Sequence, residues 1–156
     1  MADKDFTVLL VESDAKDASA VREAFETLGL VPGFRWVSGV EAAIRYLSGQ
    51  GRFSDRSRFP MPSLILISLP LSRQADFRML RWKGEQVPEV RQIPVVELAA
   101  ARQPPGFDRA YDLGAVSYLV KPIDRDALGS MVRAVIEFWR LDGRKDPWRG
   151  APPREG

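Results

Sequence analysis

Apolar residues in this chain are grouped into short unbroken runs separated by amphipathic stretches. The sharpest run is Leu64-Ile65-Leu66-Ile67-Ser68-Leu69-Pro70, bounded by Pro62 and Pro70. An apolar run of that length between prolines predicts a strand buried on both faces, in the middle of a parallel sheet. Each Leu or Ile buried there contributes roughly 1.5–3 kcal/mol. Ser68 then stands at the strand's carboxyl end, where open α/β sheets place their chemistry.

The other runs repeat the theme. Phe6-Thr7-Val8-Leu9-Leu10-Val11 predicts the first strand and leads into Glu12-Ser13-Asp14, with Asp14 as the cap of the next helix. That helix carries Ala18, Val21, Phe25 and Leu28 and stops at Gly29. Phe34-Arg35-Trp36-Val37 reads as a second strand, and Val40, Ile44 and Leu47 as a second helix ended by Ser48-Gly49. Residues 49–62 read as a long polar loop with Arg52, Arg56 and Arg58. After the central strand, Phe77, Leu80 and Trp82 outline a poorly defined third helix, and Ile93-Pro94-Val95-Val96-Glu97-Leu98 a fourth strand. Ala110, Tyr111 and Leu113 suggest a short fourth helix closed by Gly114, and Ser117-Tyr118-Leu119-Val120 a fifth strand. Asp124 caps a last helix carrying Leu128, Val132, Val135 and Trp139. Strands alternating with helices predict a doubly wound parallel sheet, because each parallel crossover needs a helix. The expected organisation is one α/β domain over 1–141 and a flexible, Pro/Gly-rich C-terminal tail over 142–156.

Composition narrows the chemistry. The chain has 156 residues, enough for one domain with a proper core, and contains neither cysteine nor histidine. That excludes disulfides, thiolate metal sites, a histidine base and a histidine phosphoryl carrier. The start, Met1-Ala2-Asp3-Lys4-Asp5, lacks a secretory pattern, and no apolar run approaches the ~20 residues that span a bilayer, so a cytoplasmic protein without membrane partners is expected. The net charge of +2 falls entirely from Arg140 onward, which argues against nucleic-acid binding by the body of the chain.

The order of these motifs resembles the receiver domain of two-component response regulators, over about residues 6–141. The resemblance is carried by Leu9-Leu10-Val11-Glu12, the Leu64-to-Leu69 strand, Ile93-Pro94-Val95-Val96, Tyr111-Asp112-Leu113-Gly114-Ala115 and Tyr118-Leu119-Val120-Lys121-Pro122. The long loop before the third strand and the Phe138-Trp139 ending are similar to the single-domain regulators that partner bacterial phytochromes. The resemblance implies a flavodoxin-like (CheY-like) five-stranded parallel sheet in the order 2-1-3-4-5. It also implies a histidine kinase, a phytochrome-like photoreceptor or another receiver as partner, and docking or homodimerisation through the fourth helix, fifth strand and fifth helix. Tyr111, Tyr118, Val135, Phe138 and Trp139 fall on that face.

A working receiver holds Mg²⁺ with two acidic residues after the first strand and an Asp after the third, and that Asp accepts the phosphoryl group. Here Glu12 matches the first acidic position, Ser13 replaces the second, and Asp14 is displaced by one. The acceptor position is Ser68, whose hydroxyl is a weak nucleophile without an adjacent base. Ala99 stands where the switch hydroxyl belongs, whereas Lys121 matches the phosphate-pocket lysine and precedes Pro122, in a bond the resemblance implies is cis. Tyr118 matches the switch aromatic and reads equally well as an aromatic packing at the sheet edge. Three of the five defining positions (Ser13, Ser68 and Ala99) are changed, which predicts a degenerate site: no enzyme activity, no cofactor, and at most weak Mg²⁺ binding at Glu12 and Asp14. With Ser68 neutral, Lys121 is expected to pair with Glu12 or Asp14.

The expected function is that of a pseudo-receiver acting by protein–protein contact. The competing readings are a phosphorelay acceptor using Asp14 or Asp76, nucleic-acid binding through the basic tail, and an FMN binder or small enzyme on a flavodoxin-like scaffold. The last lacks a phosphate loop after the first strand, where Glu12 and Asp14 repel phosphate; Gly49-Gln50-Gly51 follows a helix and does not serve. The Arg52-to-Arg58 loop reads as solvated and Trp148 as no docking peptide.

Overall fold

In a computed structural model, which describes residues 6–68, 78–99 and 117–141, five short strands form one parallel sheet. They are β1 (Val8–Val11), β2 (Phe34–Val37), β3 (Leu64–Ile67), β4 (Val95–Ala99) and β5 (Ser117–Val120), in the order β2-β1-β3-β4-β5. Val11 is level with Val37 on one side and Ile67 on the other, so the residues that follow β1 and β3 emerge together. β1 and β3 are buried at all four positions, as their unbroken apolar runs require.

Alternation along the strands divides the core into two layers. Leu9, Val11, Ile65, Ile67 and Val95 pack beneath α2 (Val40–Ser48) and α3 (Arg78–Gly84). Val8, Leu10, Leu64, Leu66, Val96 and Leu98 pack beneath α1 (Ala15–Thr27) and the last helix (Arg125–Leu141). Asp14 caps α1, its Oδ1 accepting the amides of Lys16 at 2.8 Å and Asp17 at 3.3 Å. Such a cap contributes about 1 kcal/mol. A single helical turn, Pro88–Arg91, stands before β4 where the sequence signalled none. The fourth helix expected around Ala110–Gly114, and the segment 142–156, lie outside the described residues.

The supposed polar loop 49–62 is a packed element. Phe53 is buried and forms an aromatic cluster with Tyr46 of α2 and Phe59, ring centroids 5.2–5.9 Å apart. α2 ends at Gly49, whose φ of 69° is the left-handed conformation glycine adopts without cost. Arg56 closes the same helix end. Its Nη1 donates to the carbonyls of Tyr46 at 2.8 Å and Phe59 at 3.1 Å, and its Nη2 to that of Leu47 at 2.9 Å. The Arg56 guanidinium is therefore engaged by backbone rather than presented to a partner, and Arg35 is held likewise by Pro32, Phe34 and Arg58 carbonyls. Arg56→Ala is expected to lower stability by about 2–3 kcal/mol in urea denaturation, since it removes three hydrogen bonds at once and leaves the Leu47 carbonyl, at the helix end, without its guanidinium donor. Arg52→Ala, which loses only a ring contact at 4.5 Å, is expected to cost under about 1 kcal/mol. Equal effects would refute a capping role for Arg56.

Candidate functional site

The crevice beyond the carboxyl ends of β1 and β3 is where the strand order reverses, the place at which open α/β sheets bind ligands. The ladder carries past both strands: the Glu12 amide donates to the Val37 carbonyl at 3.1 Å, and the Ser68 amide to the Val11 carbonyl at 2.8 Å. Glu12 and Ser68 are thereby set side by side and buried, at 2% and 7% exposure.

Lys121, immediately after β5, reaches into this crevice. Its ammonium lies 2.8 Å from Glu12 Oε1 and 2.7 Å from Asp17 Oδ2. The other Glu12 oxygen accepts the Asp14 amide at 3.1 Å, and Arg125 Nε reaches Asp17 Oδ1 at 3.2 Å. One network thus joins β1, the first turn of α1 and the start of the last helix. Burial alone would lower the Lys121 pKa, but its hydrogen bonds to Asp17 and Glu12 prevail and raise it. The Asp17 carboxyl is held below its ordinary value by the hydrogen bond from Lys121, against the opposing effect of burial and with help from Arg125.

Asp14 does not join the network, because its carboxylate is turned to the helix amides it caps, and Ser13 is exposed. Asp17 takes the place expected of Asp14. Its signal was an acidic residue in the first turn of a capped helix, which reads equally as a complement to the helix dipole. Trp36 was also missed: its indole Nε1 donates at 2.7 Å to the Glu12 carbonyl and braces the turn after β1, with the side chain partly exposed.

Ser68 Oγ is buried and has no hydrogen-bond partner among the described residues. Ala99 ends β4, and Tyr118 in β5 is level with Glu97 of β4; the side chains of Ala99 and Tyr118 lie outside the description. The Lys121–Pro122 peptide bond, expected to be cis, is trans, the form X–Pro bonds favour by about 0.5–1 kcal/mol.

Among the described residues, the donors at the crevice do not fit Mg²⁺. The ion needs several hard oxygens in octahedral array, with carboxylate charge to offset its own. Glu12 is neutralised by Lys121, Asp14 is committed to its cap, and Ser68 contributes only a neutral hydroxyl. Among the described residues no cluster of three or more acidic side chains is able to hold a metal. The positive charge in the crevice is supplied by the protein's own lysine.

Two buried charged groups on the opposite layer had no signal in the sequence. Lys83 of α3 donates to the Arg91 carbonyl at 2.6 Å, and burial pulls its pKa down to about 8. Glu97 of β4 is 2% exposed, its Oε1 has no partner among the described residues, and burial pushes its pKa up to about 7.

No protein-family model matches the sequence. The probable methanogenesis regulatory protein FilR2 of Methanothrix harundinacea is 30% identical over 138 residues, covering 88% of this chain and 86% of that protein. The response regulator Rcp1 of Synechocystis is 30% identical over 132 residues, covering 85% of this chain and 87% of that protein. Among solved structures, the phosphorylated cyanobacterial phytochrome response regulator RcpA superposes with a TM-score of 0.75 at 26% identity, covering 87% of this chain and 94% of that one. No helix among the described residues is long and apolar enough to cross a membrane.

Proposed function

The chain belongs to the receiver-domain family of two-component response regulators, and on that premise we propose that it is a pseudo-receiver. It transmits a signal by binding a partner and does not accept phosphate. It is a binding module of the cytoplasm and not an enzyme. The observation that carries this reading is the Lys121 ammonium held between Glu12 and Asp17 beside a neutral Ser68 hydroxyl that has no hydrogen-bond partner among the described residues. Phosphoryl transfer to this position requires an ionised nucleophile and a cation to gather the transferring oxygens. The crevice offers a serine with no base and a cation already neutralised.

The partner is a histidine kinase of the phytochrome type, a reading supported by the likeness to RcpA, a phytochrome response regulator. The contact surface lies at β5 and the start of the last helix, where Val120 and Ile123 are exposed.

Intact-mass spectrometry after incubation with Mg²⁺ and a small-molecule phosphoryl donor tests the reading, beside a receiver with an intact acidic site. Only the control is expected to gain a phosphoryl group. A gain on this chain overturns the proposal, and peptide mapping then identifies the acceptor.

A further inference from the structure

Each ring of the aromatic cluster under residues 49–62 carries a guanidinium. The Arg52 guanidinium carbon lies 4.5 Å from the Phe53 centroid, that of Arg56 5.9 Å from Tyr46, and that of Arg58 5.6 Å from Phe59. Contacts of this kind occur roughly once per 70–80 residues, and three between positions 52 and 58 far exceed that density. Arg35 of β2 joins them, its Nε donating to the Arg58 carbonyl at 3.0 Å.

The four arginines divide by what their donors meet. Arg35 and Arg56 direct theirs to main-chain carbonyls and fix the loop against β2 and α2. Arg52 and Arg58 are exposed, and their guanidiniums have no hydrogen-bond or ion-pair partner among the described residues. Elsewhere Arg22, Arg78, Arg125 and Arg140 each lie against a carboxylate. Asp55, the one acid between Arg52 and Arg58, is turned to Ser57, accepting its amide at 3.0 Å and its hydroxyl at 2.6 Å. Two cations are thus held on a surface that does not neutralise them.

Their spacing suits one kind of ligand. The rings beneath them, Phe53 and Phe59, have centroids 5.2 Å apart. The guanidiniums are therefore at most about 15 Å apart, a span met by carboxylates two to four residues apart on one side of an extended segment rising about 3.3 Å per residue. Each guanidinium is a planar fork that matches a carboxylate, and a fork already laid on a ring loses less freedom on binding.

We infer that Arg52 and Arg58 dock an extended acidic segment of a partner protein, on a loop that Arg35 and Arg56 hold in place. A nucleic acid fits less well: Phe53 is buried and Phe59 partly buried, so neither ring offers a face for bases to stack on. Arg35 places this surface at β2, the edge of the sheet opposite β5. A partner at β5 leaves it open, so that the chain holds two partners at once. The inference is independent of whether Ser68 accepts phosphate.

NMR of the arginine Nε–Hε groups in the full chain, titrated at low salt with a synthetic peptide of alternating Glu and Ser, tests it. The peptide is expected to shift the Arg52 and Arg58 signals, which Arg52→Gln and Arg58→Gln identify by their loss. With both substitutions present, the peptide is expected to bind at least about tenfold more weakly while the backbone spectrum stays that of the folded chain. Arg22→Gln with Arg91→Gln removes the same charge from exposed positions elsewhere and is expected to leave binding within about twofold of wild type. An equal loss in that control pair reduces the effect to net charge and overturns the inference, as does a peptide that shifts neither arginine. Tighter binding of a single-stranded oligonucleotide of matched charge assigns the loop to nucleic acid and overturns it equally.

Discussion

Glu97→Met is expected to stabilise the protein by about 3 kcal/mol at pH 8, with a gain that shrinks as the pH is lowered towards 4.5. Glu97 stands in the middle of β4, on the layer it shares with Val95, and is level with Ile67 of β3. Its carboxyl is almost wholly removed from water, and one oxygen has no hydrogen-bond partner among the described residues. Burial disfavours the charged form and pushes the pKa from 4.5 to about 7. The sign follows from linkage. Below about pH 4.5 the group is protonated in both folded and unfolded chains. Between 4.5 and 7 the unfolded chain ionises first, so folding must take up a proton and stability falls. Above 7 the full penalty persists. Methionine fills a similar volume and does not titrate. Urea denaturation of wild type and variant at a series of pH values measures the difference. Glu97→Gln is expected to remove the pH dependence while gaining less, because its amide is still polar and buried. Wild-type and Glu97→Met curves that run parallel from pH 4 to pH 8 would disprove this account.

The same residue shows where sequence reading stops. β1, β3 and β5 were legible because a run of apolar residues between polar ends has few other interpretations. β2 and α2 were legible to the residue because Gly49 marks the helix end chemically. The strand order was not in the residues themselves; it entered with the resemblance. Phe53 and Phe59 were hidden in an arginine-rich stretch without periodicity, and their burial depends on Arg56 reaching back to carbonyls of α2. Asp17 looked like an ordinary first-turn acid because its partner Lys121 is more than a hundred residues away in the chain. Glu97 and Lys83 each interrupt an apolar pattern once, and a single interruption does not reveal whether the charge escapes to solvent or is trapped. The crevice residues Glu12, Ser68 and Lys121 were readable by motif, and of the two partners expected for Lys121 it pairs with Glu12 and not Asp14, with Asp17 as the second, unforeseen carboxylate.

That pairing can be measured. Lys121→Met is expected to cost about 3–5 kcal/mol in urea denaturation at neutral pH, because removing one member of a buried ion pair leaves the other uncompensated. Glu12 is the group left behind: its side chain is 2% exposed, and the Asp14 amide is its remaining partner among the described residues, whereas Asp17 keeps Arg125. Glu12→Gln in the Lys121→Met background is expected to recover most of the loss, giving a coupling energy larger than any exposed pair provides. Salt should change the cost little, since Lys121 is only 15% exposed and screening acts on exposed charges. Acid acts in a known direction. The Asp17 pKa lies below 3.8, so its contribution is present above that value and is lost as the pH falls through the folded-state pKa. A lysine that merely waits for a phosphoryl oxygen behaves differently: its ammonium is solvated until the ligand arrives, and its removal impairs binding while leaving the fold intact. A loss under about 1 kcal/mol for Lys121→Met would place this chain in that second class. A loss of several kcal/mol, reversed by Glu12→Gln, means that the Lys121 ammonium is built into the fold as the counter-charge of Glu12.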